Sequence, residues 1–85
     1  MDFISLTENA EIVEFIVSDG ATIAETSIGQ AVDEDLLSDE MLTIGIERDG
    51  EVLTPQGETV IQTGDVVTLL SKSPLKRGSL KHFGN

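Results

Sequence analysis

No cysteine occurs in the sequence, which excludes a disulfide staple, a thiolate nucleophile and a cysteine zinc site, and fits a reducing compartment such as the cytoplasm. Tryptophan and tyrosine are missing too, and phenylalanine appears three times, so the core has to be built from Val, Ile and Leu. No apolar run approaches the roughly 20 residues that cross a bilayer. The acidic N-terminus also lacks the basic start and apolar stretch of a secretory signal, so any membrane role is expected to come through a partner. Basic residues are the scarcest charged class: five against sixteen carboxylates, for a net charge of −11. All the carboxylates and Arg48 alone among the cations lie in residues 1–71, whereas Lys72, Lys76, Arg77 and Lys81 come after them. Most of the surface therefore repels phosphate backbones, which argues against nucleic-acid binding. The same imbalance suits either a salt-adapted protein, whose self-repulsion is screened, or an ordinary acidic domain.

The residues that are present suffice for one domain. A hydrophobic fraction of 39% over 85 residues is too apolar for disorder, but a chain of this length buries only about 60–65% of its unfolded surface. That gain is marginal against conformational entropy of about 1–2 kcal/mol per residue, so a homodimer is the expected state.

Glu11 to Ser18 carries Ile12, Val13, Phe15, Ile16 and Val17 and reads as a strand buried on most of both faces, ending at an Asp19-Gly20 turn. Ser27 and Gln30 form a capping box, predicting a helix over 28–37 with Ile28, Ala31, Val32 and Leu36 on one face. From Met41 the period becomes two, and Leu42, Ile44 and Ile46 are expected on a single buried face. Arg48-Asp49-Gly50-Glu51 is a type I′ hairpin signal, and the return strand over 51–54 must stop at Pro55 or lie at an edge. Thr59 to Gln62 is extended, Thr63-Gly64-Asp65 turns, and Asp65 to Ser71 is the last strand. Ser73-Pro74 opens a short helix with Leu75, Leu80 and Phe83 on one side. Residues 1–10 read as a lead-in, 11–71 as the domain and 72–85 as a basic tail or short helix, available to an acidic neighbour or an anionic membrane. The order predicts an α+β fold with a helix on one side of a mostly antiparallel sheet.

Three segments in order, Ile23 to Val32 (IAETSIGQAV), Ile44 to Pro55 (IGIERDGEVLTP) and Val60 to Leu70 (VIQTGDVVTLL), resemble the TrkA C-terminal domain, the C-terminal lobe of regulators of potassium conductance. Glu25-Thr26 stands where that family commonly has a glycine followed by a lysine. The resemblance implies a dimeric cytosolic domain of a potassium channel, a potassium uptake system or a cation antiporter, gating transport by binding a small ligand. In some members the dimer cleft binds cyclic di-adenosine monophosphate between branched aliphatic side chains and an arginine. The matching positions here are Ile44, Ile46 and Arg48.

The residues themselves leave alternatives open. Arg48 suits a phosphate or a surface ion pair with Glu47, Asp49 or Glu51. Asp33, Glu34, Asp35, Asp39 and Glu40 lack the alternation of a calcium loop, and His82 has no titrating partner nearby in sequence. No nucleophile motif or Gly-rich phosphate loop is present, so no catalytic residue, metal or cofactor is expected. A docking or dimerisation module with an empty cleft is the competing reading.

Overall fold

The computed structural model describes residues 2–7, 10–73 and 81–84. Strands β1 (Asp2–Thr7), β2 (Ala10–Ile16), β4 (Met41–Arg48), β5 (Glu51–Leu53) and β7 (Val66–Ser71) form one antiparallel sheet in the order β1-β2-β7-β4-β5. Two short strands, β3 (Thr26–Ser27) and β6 (Val60–Ile61), form a second pair. A single helix, α1 (Ile28–Asp33), and a 3-10 turn (Lys81–Phe83) complete the described chain. This is the mostly antiparallel sheet with one short helix that the sequence led us to expect.

Alternation in the two central strands selects the core. Val13, Phe15 and Val17 from the β2 side and Val67 and Leu69 from β7 are buried with Ile23, Ala31, Leu37, Ile46 and Ile61. Phe83 closes this cluster, its ring stacked on that of Phe15 with centroids 4.2 Å apart. It is thus packed through a 3-10 turn, whereas Pro74, Leu75 and Leu80 of the expected helix lie within 74–80, outside the described residues.

Several expectations need correction. The segment read as a lead-in holds β1, antiparallel to β2 with Phe3 opposite Val13. β2 is buried on one face, not two, since Glu14 and Ile16 are exposed. The helix ends at Asp33, four residues early. Asp33, Glu34 and Asp35 put three negative charges where the helix dipole is itself negative, and Asp35 turns left-handed with φ 59°. The amides of Leu36 and Leu37 both reach back to the Ala31 carbonyl, swinging Leu37 into the core. Half of the capping box forms: Ser27 Oγ accepts from the Gln30 amide at 3.1 Å, but the Gln30 side chain donates to Glu34 instead of the cap.

The strand β4 departs most. Its register against β7 slips between Thr43 and Gly45, and a bulge that adds a residue exchanges the faces of all later positions in the strand. Leu42 and Ile44 are therefore 52% and 44% exposed, while Ile46, opposite Val67, is 1% exposed. The hairpin formed as predicted, with Asp49 and Gly50 at φ 53° and 82°, and β5 stops before Pro55 at the sheet edge.

Candidate functional site

Arg48, the single cation of the acidic body, closes β4 and lies beside the hairpin. Its Nε donates to Asp65 Oδ1 at 2.9 Å and its Nη2 donates to Asp65 Oδ2 and to the Val60 carbonyl, both at 2.8 Å. The ion pair is thus with a residue seventeen positions on, not with Glu47, Asp49 or Glu51. Asp65 is 1% exposed against 26% for the Arg48 side chain, and it also accepts from the Gln62 amide at 2.9 Å. The Arg48 hydrogen bond pulls the Asp65 carboxyl below its ordinary value against the opposing push of burial, with help from the Gln62 amide. The same bond raises Arg48, and the carboxylates of Asp49 and Glu25 add to it. One bidentate contact therefore fastens the end of β4, the strand β6 and the start of β7. The turn feeding Asp65 needs glycine for conformation alone: Gly64 has φ 89°, and a Cβ there would meet nothing within 4 Å.

A second arrangement lies along β4 before the bulge. β5 pairs only with Ile46, Glu47 and Arg48, so among the described residues no strand covers this side of the Leu42–Ile44 stretch. Instead an apolar cleft of about 200 Å³ opens there, lined by Ile28 and Val32 of α1, Leu42 and Thr43 of β4, and Pro55 and Gly57. At Gly57 the helix comes close to the loop: the Gly29 amide donates to the Gly57 carbonyl at 2.8 Å, and a Cβ on residue 29 would stand 3.1 Å from that oxygen. This gives the helix glycine a packing reason. Thr43 Oγ1 is buried and has no hydrogen-bond partner among the described residues.

The three positions matched by resemblance are not equivalent. Ile44 is exposed on the open edge of β4, next in sequence to Thr43 of the cleft lining but not itself part of it, Ile46 lies in the core, and Arg48 has two of its three guanidinium nitrogens committed to Asp65 and Val60. Asp65 was legible only as a turn residue, because its partner is distant in sequence. The signal was there in the charge pattern, since a lone cation among carboxylates that is to be held internally needs a buried anion. Among the described residues no group of acidic or histidine side chains is arranged to hold a metal.

Glu25 has φ 66°, a conformation that costs a residue with a Cβ about 1–2 kcal/mol. It stands where the resembling family commonly has glycine. Glu25→Gly is therefore expected to raise the unfolding free energy by about 0.5–1 kcal/mol after the larger unfolded-state entropy of glycine is subtracted; urea denaturation measures it.

A search of curated proteins returns no match. The family model of the TrkA-C domain matches residues 12–74, a span that starts within β2 and contains both the Arg48–Asp65 contact and the cleft beside α1. That span is well over half of the sequence, and the chain belongs to the TrkA-C domain family.

Proposed function

We propose that this domain is a cytosolic regulatory part of a potassium channel, potassium uptake system or cation antiporter, pairing with a second copy and binding a small ligand to gate transport without catalysis. TrkA-C domains are regulatory domains of potassium and other cation transport systems. Among the described residues no helix is long and apolar enough to cross a membrane.

The observation that carries the reading is the open side of β4. An uncovered strand edge is a template for pairing with another chain, and here it presents two half-exposed aliphatic side chains, Leu42 and Ile44. A second copy joined antiparallel along this stretch covers them and supplies a second wall to the cleft beside α1. The resulting space is largely apolar, with Gln56 and the buried Thr43 Oγ1 as its polar lining, which suits a flat, weakly polar group such as a nucleotide base. Cyclic di-adenosine monophosphate is one candidate of that shape. Ile44 is the matched position such a ligand touches, Ile46 supports the strand from beneath, and Arg48 holds the hairpin. A phosphate at Arg48 would have to compete with Asp65 and face Asp49 and Glu25.

Calorimetric titration with cyclic di-adenosine monophosphate, ATP, ADP and AMP tests the reading. It predicts heat and a melting temperature that climbs with ligand concentration for one of these ligands, both abolished by Ile44→Asp in a chain that stays folded. A domain that only docks or dimerises gives neither response.

A further inference from the structure

The face of the large sheet turned away from the core carries a separate feature. Cross-strand pairing sets three rows on it: Ile12, Leu70 and Leu42 at one end; Glu14, Thr68 and Gly45 in the middle; Ile16, Val66, Glu47 and Val52 at the other. Ile16 is 65% and Val52 77% exposed, an unusual amount of uncovered β-branched surface for two positions on one sheet face. Gly45 leaves the β4 end of the middle row without a side chain. The gap is a depression of about 290 Å³ bordered by Glu14, Glu47, Thr68, Val52 and Val66.

Charge decides what fits this face. Neither Glu14 nor Glu47 has an ion-pair partner among the described residues, and none of the three rows contains a cation. A second copy seated here would press two more carboxylates against these two, and like charges brought together in a desolvated contact are strongly unfavourable. A free hydrated cation would leave the aliphatic rim uncovered. We infer that this face docks an apolar segment of a partner protein carrying an arginine, whose guanidinium enters the notch over Gly45 between Glu14 and Glu47. A guanidinium is weakly hydrated, planar and always charged, so it lies on an apolar floor while bridging two carboxylates. The interaction uses the opposite face from the core and requires neither the paired β4 edge nor a small ligand, so it goes beyond the reading above and stands or falls separately.

The test is an amide NMR titration of the full chain with the peptide acetyl-Leu-Arg-Val-amide and with the same peptide carrying citrulline for arginine. Shifts are expected to concentrate at Glu14, Gly45, Glu47, Val52 and Thr68, and to weaken about tenfold with citrulline or in Glu14→Gln/Glu47→Gln. Asp39→Asn/Glu58→Gln removes the same charge elsewhere and should leave the affinity within about twofold. Gly45→Ala, whose Cβ would meet only Thr68 Cβ at 4.0 Å, puts a methyl on the floor of the notch without strain and should weaken binding about fivefold. Shifts scattered over the acidic surface, an equal effect of the two charge-removing variants, or no shift at about 10 mM peptide would each overturn the proposal. So would concentration-dependent shifts at these same residues without peptide, the mark of a second copy on this face.

Discussion

Arg48→Met is expected to lower the unfolding free energy by about 3 kcal/mol, because it strands a carboxylate that is 1% exposed with only the Gln62 amide left to satisfy it. For a domain of 85 residues, whose total stability at 0.05–0.15 kcal/mol per residue is about 4–13 kcal/mol, that removes between about a quarter and two thirds of it. Asp65→Asn is expected to cost less, about 2 kcal/mol, since the guanidinium it releases is part exposed and finds water. The double variant Arg48→Met/Asp65→Leu should recover part of the loss relative to Arg48→Met, because it removes the buried charge together with its partner. Urea denaturation of the three variants beside wild type gives all three values. An Arg48→Met cost below that of Asp65→Asn would mean the carboxylate is not the dependent member of the pair.

The same contact has a pH signature. The folded-state pKa of Asp65 lies below the ordinary aspartate value of 3.8, so the unfolded chain binds this proton first as acid is added. The stability from Asp65 is fully present above the unfolded value and is lost as pH falls through the folded one. Protonation of the other carboxylates relieves self-repulsion and acts in the opposite direction, so wild type alone does not isolate the effect. The difference in unfolding free energy between wild type and Asp65→Asn should be level from neutral pH down to about 5 and shrink below it. A difference that grows on acidification contradicts the assignment.

Ile46→Ala is expected to cost about 2–5 kcal/mol, and Ile44→Ala less than about 1 kcal/mol. The two residues are chemically identical and two positions apart, but Ile46 packs opposite Val67 in the core while Ile44 is exposed on the open edge of β4. Thermal and urea unfolding of the pair therefore reads the bulge between Thr43 and Gly45 directly. Equal costs would mean an unbroken strand with both side chains on one face. Ile44→Ala should instead act on association, because its side chain becomes covered only when a second chain is present.

That contrast also shows how far the residues alone could be read. Alternation places Leu42, Ile44 and Ile46 together, and nothing in the local pattern marks the single inserted residue that separates them; only pairing with β7, distant in the chain, does so. The hairpin at Asp49-Gly50 was legible because its requirement for two positive φ values is local. The sheet, its edge strand before Pro55 and the start of α1 at Ser27 were legible for the same reason. The early end of α1 was written in Asp33, Glu34 and Asp35, but helical periodicity continues through Leu36 and masks it. Arg48 stood out as a lone cation and an ion pair was one of its readings, yet the partner is fixed by tertiary contact, so the neighbouring Glu47, Asp49 and Glu51 offered themselves and Asp65, seventeen positions on, did not. β1 was missed because Asp2 to Thr7 has no turn signal of its own and becomes a strand by pairing with β2.

The functional account rests on β4 being completed by a second copy along Leu42 to Ile44. Sedimentation equilibrium of the wild-type chain and of Ile44→Asp, run at low and high salt from micromolar to millimolar concentration, tests this most directly. The account predicts a wild-type species of twice the chain mass, strengthened by salt as the acidic bodies are screened, and a monomer for Ile44→Asp under all conditions. A wild-type chain that stays monomeric at millimolar concentration in high salt, or a variant that dimerises as well as wild type, contradicts it.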